Sequence, residues 1–236
     1  VQQYEDNEKP YINKVTIVGI AGVATGSSIT DSVANGTISA NGYSNTIIGG
    51  LVGKTSASIT TSISNVELEN NVIDVSSDAI TSSNIGGIVG QTGESDVTVE
   101  KSYSTGHIDT ISYDKHSYNI SGIIGHANGN VTISNVYTIA NIIIEQSGVN
   151  PYGSLNIVQA YENKWNVEGV TKSKGAILGG IATDKTATVT NAYYLGEFIP
   201  YSTNYGTPLS IEEMLFNTEG TFDKYKLVGF EVIENN

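Results

Sequence analysis

The chain has no cysteine and no arginine, and only one methionine, one tryptophan and four prolines in 236 residues. Without cysteine there are neither disulfides nor thiolate metal sites, so packing and hydrogen bonding must hold the fold. Eleven lysines stand against 24 acidic side chains, giving a net charge of -13. Phosphate backbones and anionic lipid surfaces are gripped by clustered basic residues, so this balance argues against nucleic acid and anionic membranes as partners. No apolar run approaches the ~20 residues that span a bilayer, which argues against membrane insertion. Residues 1–14 lack the basic and apolar regions of a signal peptide and read as a polar linker or N-terminal cap of a segment from a longer chain.

What is abundant is Gly, Ser, Thr and Asn, with isolated Ile and Val at spacings that can be buried. That composition suits many short β-segments joined by turns, and neither helices nor wholesale disorder. The dominant feature is a repeat. Ile48-Gly49-Gly50-Leu51-Val52-Gly53 returns as Ile85-Gly86-Gly87-Ile88-Val89-Gly90, Ile120-Ser121-Gly122-Ile123-Ile124-Gly125 and Leu178-Gly179-Gly180-Ile181-Ala182-Thr183, with an earlier copy at Ile17-Val18-Gly19-Ile20-Ala21-Gly22. A five-residue pattern follows each: Ile29 to Val33, Ile59 to Ile63, Val99 to Tyr103, Ile133 to Tyr137 and Val189 to Tyr193. A third apolar residue lies five positions further on in every case: Ile38, Leu68, Ile108, Ile142 and Phe198.

A recurring unit of this size signals a stacked array. One unit cannot bury enough to offset the roughly 1–2 kcal/mol that ordering each residue costs, so neighbours must share a core and a hydrogen-bond ladder. The expectation is an all-β, right-handed parallel β-helix of about five coils spanning residues 15–199, since parallel crossovers are nearly always right-handed. In the five-residue pattern the first and fifth positions are expected to face inward, with the small fourth residue between them. Tyr103, Tyr137 and Tyr193 would then form an aromatic column, with their hydroxyls needing a partner or reaching the surface. Which way Leu51 faces is open, because strand alternation permits either register.

Spacings between glycine motifs vary, so insertions fall between units, near 69–84 and 148–175. The second carries Tyr152, Tyr161 and Trp165, the candidate ligand-binding residues, although such aromatics equally well cover an apolar face of the solenoid. Past the last unit, Ser210-Ile211-Glu212-Glu213 has the form of a helix capping box, predicting one or two helical turns over 211–216 within a C-terminal cap, 200–236.

The recurrent glycine motif, as in Gly50-Leu51-Val52-Gly53 and in Gly122-Ile123-Ile124-Gly125 with Ile133-Ser134-Asn135-Val136-Tyr137 after it, resembles the GLUG repeat, and the likeness covers about residues 15–200. That resemblance implies an extracellular bacterial β-solenoid of the kind found in surface proteins, adhesins and the non-catalytic regions of immunoglobulin A metallopeptidases. It does not carry proteolysis with it, because the peptidase motif His-Glu-x-x-His is absent from this sequence.

Signals for chemistry are sparse. His107, His116 and His126 make no zinc-binding pair on a helix and read as isolated surface or corner residues. No Gly-x-Ser-x-Gly elbow occurs, and no Lys-Ser or Lys-Thr follows the glycines in P-loop spacing. A carbohydrate-active enzyme would need two carboxylates about 5–9.5 Å apart. Asp31 offers one, but its later equivalents are Thr61, Lys101, Asn135 and Asn191. Glu94, Asp96 and Glu100 could offer oxygen ligands to Ca²⁺, against the simpler reading of a solvated acidic corner. The expected function is therefore a non-catalytic module for adhesion or for binding a host glycoprotein or glycan, without a cofactor or metal and monomeric within a longer chain. A polysaccharide lyase or hydrolase and a passive spacer are the alternatives.

Overall fold

The structure, a computed structural model, describes residues 14–26, 28–41, 45–71, 80–112, 115–148, 156–159, 169–199 and 205–215. Five units follow one another. The first is β1 (Lys14–Val18), β2 (Ala21–Ala24), β3 (Ile29–Thr30) and β4 (Val33–Asn41), and the second β5 (Asn45–Gly49), β6 (Val52–Thr55), β7 (Ile59–Thr60) and β8 (Ile63–Asn71). The third comprises β9 (Thr81–Gly86), β10 (Val89–Thr92), β11 (Val97–Glu100), β12 (Tyr103–Ser104) and β13 (Ile108–Ser112). The fourth is β14 (His116–Ser121), β15 (Ile124–Ala127), β16 (Val131–Thr138) and β17 (Ile142–Gly148), followed by β18 (Asn156–Gln159). The fifth is β19 (Lys172–Gly175), β20 (Leu178–Ile181) and β21 (Ala187–Leu195), closed by β22 (Thr207–Leu209) and the helix α1 (Ile211–Leu215).

Equivalent strands stack in order of sequence. β1-β5-β9-β14-β19 form one sheet, β2-β6-β10-β15-β20 a second, and the remaining strands a third. Every pairing is parallel except that of β17 with β18, an antiparallel pair at the start of the long insertion. The molecule is thus nearly all β, with parallel sheets and almost no helix, as its composition predicts. Among the described residues no helix is long and apolar enough to cross a membrane.

The glycine motif is the arc between the first two sheets. β5 stops at Gly49 and β6 starts at Val52, so the chain reverses over Gly50 and Leu51. A Cβ on Gly49 would overlap the Val52 carbonyl oxygen, and one on Gly50 the carbonyl oxygen of Gly87 in the next unit. Glycine at these places lets the second and third arcs nest closely, while the fourth carries Ser121 at the place of Gly49, its hydroxyl donating to the Ile124 carbonyl at 2.7 Å. Leu51, left unassigned by alternation, points inward and is fully buried, as are its counterparts Ile88, Ile123 and Ile177.

The fifth copy of this motif sits four residues earlier than the sequence pattern suggests. Ile120 pairs with Lys174, Ser121 with Gly175 and Ile124 with Leu178. The copy is therefore Lys174-Gly175-Ala176-Ile177-Leu178-Gly179, and Leu178-Gly179-Gly180 only imitates it. Fully buried Ala176 and Ile177 fill the inner places of the arc. Half-buried Lys174 takes the isoleucine position, where its aliphatic stem can stand in for an apolar side chain.

The five-residue pattern contains the second bend, and its geometry overturns one expectation. Asp31, Thr61, Lys101, Asn135 and Asn191, the third residue in each unit, have φ of 49°, 50°, 48°, 53° and 49°. These are all the non-glycine residues in the left-handed region among the described residues. Strict alternation would turn positions one, three and five to one face. The left-handed residue resets that parity, so position four faces inward and position five outward. Ile59, Val99 and Ile133 at position one and Ser62, Ser102 and Val136 at position four are fully buried. Position five is outside: Val33 is 54% exposed, and Ile63, Tyr103, Tyr137 and Tyr193 are half-buried.

Serine suits position four because the inside of the bend is narrow and contains free backbone groups. The Ser62 hydroxyl donates to the Thr60 carbonyl at 2.9 Å and that of Ser102 to Glu100 at 2.8 Å. Each also accepts from the unit before, Ser102 Oγ from the Ser62 N–H at 3.1 Å and Ser62 Oγ from the Ser32 N–H at 3.4 Å. The buried hydroxyls are therefore satisfied by the bend that buries them.

The third apolar position is in register for four units, Ile38, Leu68, Ile108 and Ile142. The fifth differs: β21 ends at Leu195, a turn over 196–198 intervenes, and buried Ile199 replaces Phe198, which is 36% exposed. β22 then pairs with β21, Tyr193 opposite Thr207 and Leu195 opposite Leu209. The capping box forms as expected. Ser210 N–H donates to Glu213 Oε2 at 2.8 Å and Glu213 N–H to Ser210 Oγ at 3.1 Å. β8 runs to Asn71 and β9 begins at Thr81; of the two expected insertions, residues 72–79 of the first and 149–155 and 160–168 of the second lie outside the described residues.

Candidate functional site

Tyr152, Tyr161 and Trp165 lie outside the described residues. The three histidines prove unlike one another. His107 is exposed, His126 is half-buried, and His116 is 1% exposed, so the reading of it as a surface or corner residue fails. It fails because His116 opens β14 on the inward side, opposite Thr81 of β9. Glu94, Asp96 and Glu100 do not gather: among the described residues no group of three or more His, Asp or Glu is placed to hold a metal ion. Asp96 instead accepts from Asn130 Nδ2 at 3.0 Å, and Glu100 lies 3.8 Å from Lys101.

The richest surface is the outer face of the third sheet beyond the second bend. Parallel register places identical outward positions side by side at the strand spacing of about 4.8 Å. One row is Val33, Ile63, Tyr103, Tyr137 and Tyr193. Tyr103 and Tyr137 stack with ring centroids 4.6 Å apart and planes 8° from parallel, which forms part of the expected column. Their faces cover each other, so edges and hydroxyls are what they offer outward. Burial raises the pKa of Tyr103, with a hydrogen bond from Tyr137 acting the other way, and burial raises that of Tyr193.

Beside the tyrosines runs an amide row. Asn65 Nδ2 donates to Asn35 Oδ1 at 2.9 Å, and Thr105 Oγ1 donates to Asn65 Oδ1 at 2.6 Å. Asn71 donates to Asn41 at 2.6 Å further along the same face. Between these rows lie the titratable groups. Glu67 and Glu69 are two apart on β8 and therefore share a face, and Glu69 is the register partner of Asp109 on β13. Leu68 N–H donates to the His107 carbonyl, which sets His107 beside Glu67, and Phe198 tilts against the His107 ring at 6.4 Å.

Electrostatics couple the four groups. The pKa of Asp109 is raised, first by burial and then by Glu69 and Glu67, while His107 pulls it down. Sequence reading sought facing carboxylates only at the left-handed position and missed this set. The signal was present: aligning the third apolar residues Leu68 and Ile108 sets Glu69 opposite Asp109. A carboxyl of raised pKa facing a second carboxyl on the adjacent strand can move a proton to or from a bound hydroxyl.

No protein-family model, no curated protein and no solved structure matches the chain.

Proposed function

We propose that this chain is a right-handed β-helix of about five coils, of GLUG-repeat type, serving as a non-catalytic binding module in a secreted or surface-anchored bacterial protein. Its ligand would be a glycan or glycoprotein of the host, met by the outer face of the third sheet, with the module one part of a longer chain. The observation that supports this reading best is the in-register face itself. Outward tyrosine and amide positions recur from strand to strand, and a surface with a short repeat suits a ligand with a short repeat. Because the Tyr103 and Tyr137 rings cover one another, binding there would rest on hydroxyl and amide hydrogen bonds more than on ring stacking. The in-register stacking of all five units supports the coil reading. Binding to an array of host glycans and mucosal glycoproteins tests it, with Tyr137→Ala and Asn65→Ala expected to weaken any hit. Silence across the array would favour a spacer.

The juxtaposition of Glu69 with Asp109 favours a second reading, a carbohydrate-active β-helix enzyme using these two carboxyls. It predicts slow cleavage of a polysaccharide that disappears in both Glu69→Gln and Asp109→Asn. Turnover that persists in both variants would remove it.

A further inference from the structure

Behind the corner where the third sheet hands over to the first lies a buried polar cluster. Thr46, Asn70, Thr81, Ser83, Thr110 and His116 are each no more than 3% exposed. They come from the ends of β8 and β13 and from β5, β9 and β14, so the cluster ties the end of one unit to the start of the next. We propose that this cluster is an acid-labile clasp, closed while His116 is neutral and opened by its protonation.

Counting protons fixes the state of the ring. Asn70 Nδ2 donates to Ser83 Oγ at 3.0 Å and to Thr110 Oγ1 at 3.2 Å, spending both amide hydrogens. Thr110 spends its own on the Asn70 carbonyl at 2.9 Å, and Thr46 donates to Asn70 Oδ1 at 3.2 Å. The Ser83 hydroxyl must then donate to Thr46 Oγ1, 2.6 Å away. Ser83 therefore accepts from His116 Nε2 at 2.9 Å, so the ring carries its hydrogen on Nε2. Nδ1 is left to accept from the Thr81 hydroxyl at 2.7 Å.

A proton on Nδ1 sets two donors against each other at that contact and leaves a cation in a site built of neutral groups. Among the described residues, the cluster's hydrogen-bonding groups are hydroxyls and an amide: Thr46 from β5, Asn70 from β8, Thr81 and Ser83 from β9, Thr110 from β13. The charge that acts on it is Lys172 of β19, which repels a second cation. Burial and that lysine hold the His116 pKa down to about 4. Opening would free the starts of β9 and β14, where Thr81 N–H donates to the Lys115 carbonyl at 3.1 Å. The fully buried bend positions Ile59, Val99 and Ile133 contain no such group.

The test uses the wild-type chain. Amide exchange, corrected for its intrinsic pH dependence, is compared between pH 7.5 and pH 4, with the His116 ring followed by NMR. Protection at Thr81 and Ser83 is expected to fall at least tenfold more than at Ile59, Val99 and Ile133, with the ring titrating well below 6.5. Equal loss of protection across all units, or a ring that titrates near 6.5 with protection intact, overturns the proposal. A folded His116→Asn variant that keeps the same acid-dependent loss at Thr81 also overturns it.

Discussion

At the scale of single residues, the third position of each bend is under conformational tension that its side chain does not relieve equally. A left-handed φ costs a residue with a Cβ roughly 1–2 kcal/mol, and Asn and Asp tolerate it best. Thr61 is β-branched and the least suited of the five. Thr61→Gly is therefore expected to stabilise the protein by about 0.5–1 kcal/mol in urea denaturation, while Thr60→Gly, one residue earlier in a strand, should destabilise it by a similar amount. The face assignment makes a second contrast. Ile133→Asp places an unpaired charge at a fully buried site and should cost several kcal/mol. Tyr137→Ser, at the outward fifth position, should cost only about 1 kcal/mol of stacking. Nothing in side-chain chemistry at Thr61 or Lys101 announces a left-handed residue, which is why the inward set was misjudged by one position.

At the scale of elements, the arc between the first two sheets decides where a motif truly lies. A Cβ on Gly175 would overlap the backbone carbonyl of Leu178, which yields less readily than a side chain. A Cβ on Gly180 would meet the side-chain amide of Asn119, which can swing aside. Gly175→Ala should therefore lower the melting temperature by more than Gly180→Ala, and the reverse order would restore the register first suggested by the sequence. The capping box was legible from four residues because its two hydrogen bonds are local. The register of the fifth unit was not legible in the same way. Two glycines in a row look alike to a pattern whether they form the arc or follow it, and only pairing with Tyr118–Ser121 separates the cases.

At the scale of the whole molecule, two groups give stability opposite dependences on pH. The folded pKa of His116 lies near 4 against 6.5 unfolded, so its contribution is complete above pH 6.5 and is lost as the pH falls toward 4. The linkage amounts to at most about 3 kcal/mol. Asp109 has its folded pKa raised, so it favours the folded state more as the pH falls through the carboxylate range and less as it rises. Asp109→Asn is accordingly expected to raise the melting temperature at pH 7 and to leave it unchanged at a pH where the aspartate is already protonated. Thermal melts of Asp109→Asn and of His116→Asn between pH 4 and 8 separate the two contributions.

Composition and repetition were enough to determine a parallel, nearly all-β array with shared ladders, because short apolar segments that cannot be buried alone must be buried together. The helix cap was legible too, since it is written in neighbouring residues. Which side of the second bend each residue occupies, that the fifth arc begins at Lys174, and that His116 is sealed inside depended on long-range pairing. So did the meeting of Glu69 with Asp109, forty residues apart in sequence. In each of these cases a backbone turn or a strand register, and not the residue's own chemistry, selects the face, and a shift of one position sends a side chain from core to solvent.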